Sequence, residues 1–152
     1  QHMANGFTRS FMNGFKKSSL YRVEMANDAK SFEINTIYVC ENNTELINNK
    51  NYLVFHENEK IINSFNPNIN LIFNSIVPLC KEIEVLSVIL TGIGDDGVDA
   101  CVNLSKNGAR CITETSDSAI IDGMPSRARE LVPNIEAYHI DDIIKIISEF
   151  CE

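Results

Sequence analysis

A chain of 152 residues, 44% hydrophobic and 22% charged, has the length and composition of one globular domain with its own core. Its formal net charge is −8, and its basic residues are scattered apart from Arg9, Lys16, Lys17 and Arg22, so nucleic acid and anionic membrane surfaces are poor partners. No apolar run approaches the ~20 residues that span a bilayer, and the opening Gln-His-Met-Ala-Asn-Gly lacks the charged and apolar regions of a signal peptide.

Phe7, Phe11 and Phe15 recur at i, i+4, i+8 and predict an amphipathic helix, with Asn5 or Thr8 as its cap. The stretch from Asn35 to Phe55 reads as short strands. Thr36 to Cys40 is one, while Thr44–Ile47 and Tyr52–Phe55 flank a polar Asn48-Asn49-Lys50-Asn51 turn, a hairpin suited to the antiparallel edge of a mixed sheet. Asn66-Pro67 looks like a cap with proline at the first helical position, and Ile69, Ile72, Phe73, Ile76 and Val77 follow at helical spacing up to Pro78.

Val85 to Leu90 is nearly all apolar and rich in β-branched residues, as in a strand buried on both faces of a parallel sheet. A glycine loop comes next, then a helix through Ala100, Cys101 and Leu104 that stops at Asn107-Gly108. A strand at Arg110 to Thr113, a helix opened by Pro125 and a last helix with the face Ile143, Ile144, Ile147 and Phe150 complete the chain. Strand and helix in alternation predict an α/β fold: a doubly wound, mostly parallel sheet flanked by helices, with an antiparallel β-hairpin at one edge. Function in such sheets collects beyond the carboxyl ends of the strands, where Thr91 to Gly97 lies. The five cysteines are odd in number and lack CxxC spacing, which fits reduced thiols in a cytosolic protein and supports no zinc site.

Gly92-Ile93-Gly94-Asp95-Asp96-Gly97 matches GxGxxG, and Glu114 falls about where a ribose-binding acid would sit, so a dinucleotide site is one reading. Against it, Asp95 and Asp96 fall where pyrophosphate must dock. At ~4 Å and an effective dielectric near 20 each contact is repulsive by roughly 4 kcal/mol, more than the ~1–2 kcal/mol a helix end supplies. A second reading has Asp95 or Asp96 capping the helix, with Asp99 adding charge to its first turn. A third makes one aspartate the buried acceptor that orients a catalytic histidine, beside backbone N–H groups free for an oxyanion. A magnesium site on the acidic pair lacks a third acid at suitable spacing.

Three motifs carry a resemblance. Gln1-His2-Met3-Ala4-Asn5-Gly6-Phe7-Thr8-Arg9-Ser10-Phe11 resembles the QHMPxGFTxSF signature of the chemotaxis protein-glutamate methylesterases, the CheB family. Leu90-Thr91-Gly92-Ile93-Gly94-Asp95-Asp96-Gly97 resembles the family's LTGMGxDG, and Ser118 to Pro125 its SxVxxGMP. The match also argues against reading Gln1-His2-Met3 as a cloning scar. The resemblance implies a catalytic domain over 1–152 in which His2 and Asp96 are the histidine and aspartate of a Ser-His-Asp triad and Asp95 is a variable position. It implies further that Ile93, Gly92 and Gly94 shape the oxyanion turn, and that Met124 and Pro125 line the substrate rim. The implied substrate is a methylated glutamate on the cytoplasmic helices of a chemoreceptor, with glutamine deamidation as a related activity. No metal or organic cofactor is implied, and the setting is cytoplasmic.

The family's nucleophilic serine stands in a GxSxGG loop before the histidine, and no GxSxG occurs in this chain. Ser10, Ser87, Ser116 and Ser118 read as solvent or capping hydroxyls. The chain is therefore expected to lack the serine-bearing strand-loop-helix and to be inactive alone, and any upstream receiver domain lies outside it. Other departures are Ala4 for the proline of QHMP, Asn70 for an acid, and Cys40 to Thr44 for an apolar-Pro-Gly turn and a histidine. His56 and His139 are expected at the surface. The competing expectation is a non-catalytic module of the same fold that binds a receptor segment or regulates; a nucleotide-binding protein using Gly92 to Gly97 is the third.

Overall fold

The computed structural model describes residues 2, 3, 6–28, 30–50, 52–58 and 65–152. They fall into two compact units, Gln1–Ile72 and Phe73–Glu152.

In the first unit, helix α1 (Phe7–Ser18) packs on strand β1 (Arg22–Met25), which pairs in parallel with β2 (Thr36–Val39) in the register Val23 to Ile37. Strand β1 has no counterpart in the sequence reading, because four residues with a single buried side chain, Val23, give alternation little to show. The buried line of α1 is Thr8 and Met12. The phenylalanine stripe expected to face the core is instead exposed, with Phe7 at 60%, Phe11 at 39% and Phe15 at 40%. Met12 packs with Val23 and Val39 and with the half-buried Met3, Met25 and Ile37, a flexible thioether filling the gap over two β-branched residues. Thr8 lies inside the helix and does not cap it. Gly6, in the left-handed region at φ 82°, holds the N-cap position, and Asn5 lies outside the described residues.

Strands β3 (Thr44–Asn49) and β4 (Tyr52–Glu57) form the expected antiparallel hairpin as a two-stranded sheet, tied to Ser31 by a bridge at Val54. Asn49 pairs with Tyr52, so the strands run into the polar stretch and Lys50 takes φ 60°; Asn51 lies outside the described residues. Helix α2 (Ile69–Ile76) starts later than expected: the Asn66-Pro67 bond is cis, and Asn68 is the residue that caps, its Oδ1 accepting the Leu71 N–H at 2.9 Å. A 3₁₀ turn, Val77–Lys81, follows with Pro78 in its first turn.

The second unit is a parallel sheet of β5 (Leu86–Ile89), β6 (Arg110–Glu114) and β7 (Glu136–Tyr138), in that spatial order. Helix α3 (Val98–Lys106) connects β5 to β6, helix α4 (Gly123–Leu131) connects β6 to β7, and α5 (Ile140–Phe150) closes the chain against β6. Ile89, Val98, Cys101, Leu104, Cys111, Ala128 and Val132 form its core. Burial on β5 is more complete on one face, at Ser87 and Ile89, than on the other, at Leu86 and Val88. The three residues of β7 are too short a run to stand out in sequence. Helix α4 begins two residues before Pro125, and α5 buries Ile143 completely while Ile144, Ile147 and Phe150 stay exposed. The mostly parallel sheets, flanking helices and antiparallel pair are the α/β architecture expected. All five cysteines are free.

Candidate functional site

Strand β5 ends at Ile89, and the chain turns through Leu90 to Gly97 before α3 begins. Two glycines shape this turn for different reasons. Gly94 takes φ 94°, a conformation that L side chains resist. Gly92 lies so near Met124 that a Cβ would stand 2.6 Å from its sulfur. Gly97, at φ 96°, is the N-cap of α3, so neither Asp95 nor Asp96 holds that position, contrary to the capping reading. Asp99 sits in the first turn as expected. Two adjacent acids then part company: Asp95 is exposed, and Asp96 is buried at 3% exposure. A buried carboxylate requires partners, and Asp96 makes polar interactions.

Ile93 is 79% exposed at the tip of the turn. Among the described residues, the backbone N–H groups of Ile93 and Gly94 donate to no acceptor. Two free, neighbouring N–H groups on a turn shaped by glycines are what an oxyanion needs.

The segment before α4 is laced to the turn. Gly92 N–H donates to Ile121 O at 3.0 Å, and Met124 N–H donates to Gly92 O at 2.9 Å. The Thr91 hydroxyl donates to Ile121 O at 3.2 Å and accepts the Ile121 N–H at 2.8 Å. A Cβ on Gly123 would come within 2.7 Å of Gly92 O, so the third motif needs its glycine for this close approach. Met124 is half-buried beside Gly92. Pro125, expected at the substrate rim, is fully buried, and its side chain does not reach the surface.

Glu114 entered the sequence reading only as a candidate ribose-binding acid. It stands at the end of β6, 3% exposed, and both carboxylate oxygens are engaged inward. Oε2 accepts the Thr91 N–H at 2.9 Å, and Oε1 accepts the Ser118 hydroxyl at 2.8 Å. A carboxylate so engaged does not face a ribose, which removes the acid that made the dinucleotide reading attractive. Arg129 donates to Glu114 O and to Asp122 Oδ2, each at 2.6 Å, and clamps the segment from below. The sequence signal was an acid at the carboxyl end of the strand following the glycine turn.

His2 belongs to the first unit. It is half-buried, its ring 5.0 Å from that of Phe65, and the adjacent Met3 packs on the Met12 cluster. His56 and His139 are about half exposed: His56 Nδ1 lies 3.0 Å from Asp28 Oδ1, and His139 caps α5 through its Nδ1. A cavity of about 830 Å³ in the first unit is lined by Arg9, Lys16, Arg22 and Lys30 among others, and by none of the candidate site residues. Lys30 pairs with Glu24, and Arg22 pairs with Glu33 at 2.6 Å. No group of three or more His, Cys, Asp or Glu suited to a metal occurs among the described residues.

Comparison with known proteins bears on the family and the fold. A family model described as CheB methylesterase matches residues 1–147. The protein-glutamate methylesterase/protein-glutamine glutaminase of Caldanaerobacter subterraneus subsp. tengcongensis is 30% identical over 99% of this chain and 43% of its own length. The protein of the same name from Clostridium acetobutylicum is 30% identical over 97% of this chain and 44% of its own. This chain thus spans less than half the length of these relatives. The crystal structure of the Thermotoga maritima CheB methylesterase catalytic domain superposes with a TM-score of 0.86 at 23% identity, over 97% of this chain and 80% of that one. The chain belongs to the CheB methylesterase family.

Proposed function

We propose that this chain supplies the histidine and aspartate of a Ser-His-Asp esterase that hydrolyses glutamate γ-methyl esters on chemoreceptors and deamidates glutamine at the same site. The observation that carries the reading is the contrast at the head of α3, where Asp96 is buried and Asp95 faces solvent. A buried carboxylate at a strand's carboxyl end can hold an imidazole in one tautomer and stabilise its cation. In this reading the nucleophile is the serine of a GxSxGG loop in a segment preceding Gln1 in the complete protein. The serine attacks the γ-carbonyl while His2 takes its proton and returns it to the departing methanol. Asp96 orients His2. The N–H groups of Ile93 and Gly94 receive the oxyanion, and Gly92 lets their turn pass close to Met124. Water then attacks the acyl-serine, with His2 again the base, and glutamate leaves. No step of this scheme draws on a metal or cofactor. Methylated cytoplasmic helices of receptors are the partner, the site of action is cytoplasmic, and an upstream receiver domain is the regulator.

The test uses the complete protein with its serine loop. Asp96→Asn should retain the fold and reduce methanol release from methylated receptors by about 10⁴-fold, as a wrong imidazole tautomer does in other triads. Asp95→Asn should stay within severalfold of the parent. Equal losses in the two variants would mean that the neighbouring aspartate is the wrong one, and near-parental turnover of Asp96→Asn would reject the triad. Residues 1–152 alone should release no methanol; release from that chain would remove the upstream serine from the scheme.

A further inference from the structure

The turn that carries the free N–H groups is short, exposed at its tip and built on glycines, the residues that lose most conformational freedom on ordering. Something must hold its backbone still, since an oxyanion donor displaced by 1 Å is of little use. The glycines cannot do so, and Ile93 points outward, 79% exposed. The anchor lies two residues before Ile93. Thr91 N–H donates to Glu114 Oε2 at 2.9 Å, a charge-assisted bond made inside the protein, where Glu114 is 3% exposed.

The second oxygen of Glu114 extends the anchor. Oε1 accepts the Ser118 hydroxyl at 2.8 Å, and Ser118 Oγ accepts the Ile140 N–H, the first amide of α5, at 2.9 Å. The Glu114 carbonyl is itself gripped by Arg129 at 2.6 Å. One carboxylate therefore joins the turn after β5, the segment before α4 and the start of α5. The Asp122 carboxylate, on the same Arg129, adds a second tie to the segment whose Ile121 is laced to Thr91.

We propose that Glu114 is a positioning residue for the esterase turn, fixing the backbone at Thr91 so that the Ile93 and Gly94 N–H groups meet the oxyanion. It acts through the turn and does not touch substrate. This rests on the esterase reading above. The chemistry asks for an acceptor at Thr91 and a polar partner for Ser118, and a glutamine meets both: its amide oxygen accepts the Thr91 N–H, and its NH₂ donates to the second lone pair of Ser118 Oγ. A leucine of similar size meets neither.

Methanol release by the complete protein, assayed well below its melting midpoint, tests the idea. Glu114→Leu should lower kcat about 100-fold with KM nearly unchanged, Glu114→Gln should remain within a few-fold of the parent, and Ser118→Ala should fall roughly threefold to tenfold. A merely structural role would lower the melting midpoint while leaving kcat of the folded enzyme unchanged, and that result would overturn the proposal. A readout without substitution guards against failure of Glu114→Leu to fold. Amide hydrogen exchange in the parent should show Thr91 protected and Ile93 and Gly94 exchanging freely; equal rates at all three would also overturn it. A parent that releases no methanol, yet protects Thr91, counts against the esterase reading and not against the anchor.

Discussion

Gly123 and Gly92 meet face to face, and what each would meet with a methyl group differs in kind. A Cβ on Gly123 would lie 2.7 Å from Gly92 O and 3.4 Å from the Ile93 Cα, both backbone atoms of the turn that carries the free N–H groups. A Cβ on Gly92 would meet the Met124 sulfur at 2.6 Å, the far end of a flexible side chain. Gly94→Ala has open space but must hold φ 94°. Gly123→Ala should therefore cost the most, about 2–3 kcal/mol from forced backbone movement. Gly94→Ala should cost about 1–2 kcal/mol from strain. Gly92→Ala should cost least where Met124 can swing away, and Met124→Ala in the same chain should recover most of that loss. Urea unfolding of the four variants checks the order; a Gly123→Ala chain as stable as the parent would show that the two segments do not meet as described. At this scale the sequence was informative in one direction only. Glycine letters marked the turn, but spacing could not separate a phosphate cradle from an oxyanion turn. The decision between Asp95 and Asp96 came from the resemblance, and burial now sets them apart. Glu114 was visible only as an acid at a strand end, because its partners Thr91 and Ser118 are 23 and 4 residues away and no period links them.

The elements follow local chemistry where caps are explicit. Helix α3 ends as its letters promise: Asn107 is the C-cap, Gly108 takes φ 98°, and Ala109 N–H and Gly108 N–H return to Leu104 O at 3.1 Å and Ser105 O at 3.2 Å. These two bonds make a Schellman motif, which satisfies carbonyls the helix would otherwise leave open. Gly108→Ala meets no atom within 4 Å, so its cost is conformational alone, about 1 kcal/mol. Gly108→Asn should recover part of it, since asparagine tolerates the left-handed region. Thermal melts of the pair check this, and equal midpoints for parent and Gly108→Ala would refute the strain argument. Where no cap is written, periodicity misled. The phenylalanines of α1 are the louder apolar stripe, yet Met12 and Thr8 face β1, because hydrophobic spacing marks a face without saying what covers it. In α5 the same ambiguity left Ile143 alone fully buried among four apolar residues at helical spacing. Strands β1 and β7 escaped notice because three or four residues carry too little alternation to rise above background.

Across the whole molecule, the α/β architecture was legible from the order of strands and helices, while the pairing of His2 with Asp96 that the proposed esterase requires, between positions 94 apart in sequence, rests on motifs that recur in a family. Titration is a property of the molecule at this same scale, and its sign follows from which groups shift. Glu24 is held below the ordinary carboxylate value of 4.5 by its hydrogen bond from Lys30. Glu136 is held below it by the Tyr138 hydroxyl and by Arg110. Asp142 falls below 3.8 through Lys145. A depressed folded value gives stability that is present above the unfolded value and is lost as pH falls through the folded one. The Glu136 and Asp142 pairs are exposed and the Glu24–Lys30 pair is half-buried at the surface, so water reaches all three and the acid limb they produce is shallow. The thiols act at the other end. Burial pushes Cys40 and Cys80 above the ordinary 9.0. A raised folded value gives stability that is complete below 9.0 and is lost as pH rises through the folded value, because the unfolded thiol ionises first. The melting midpoint under reducing conditions should therefore be level from about pH 5 to 8 and fall on both sides. Cys40→Val, which fills the site without an ionisable group, should flatten the alkaline fall and leave the acid limb alone. A Cys40→Val chain whose midpoint drops above pH 9 as steeply as the parent's would show that the half-buried Cys40 thiol is not what limits stability there.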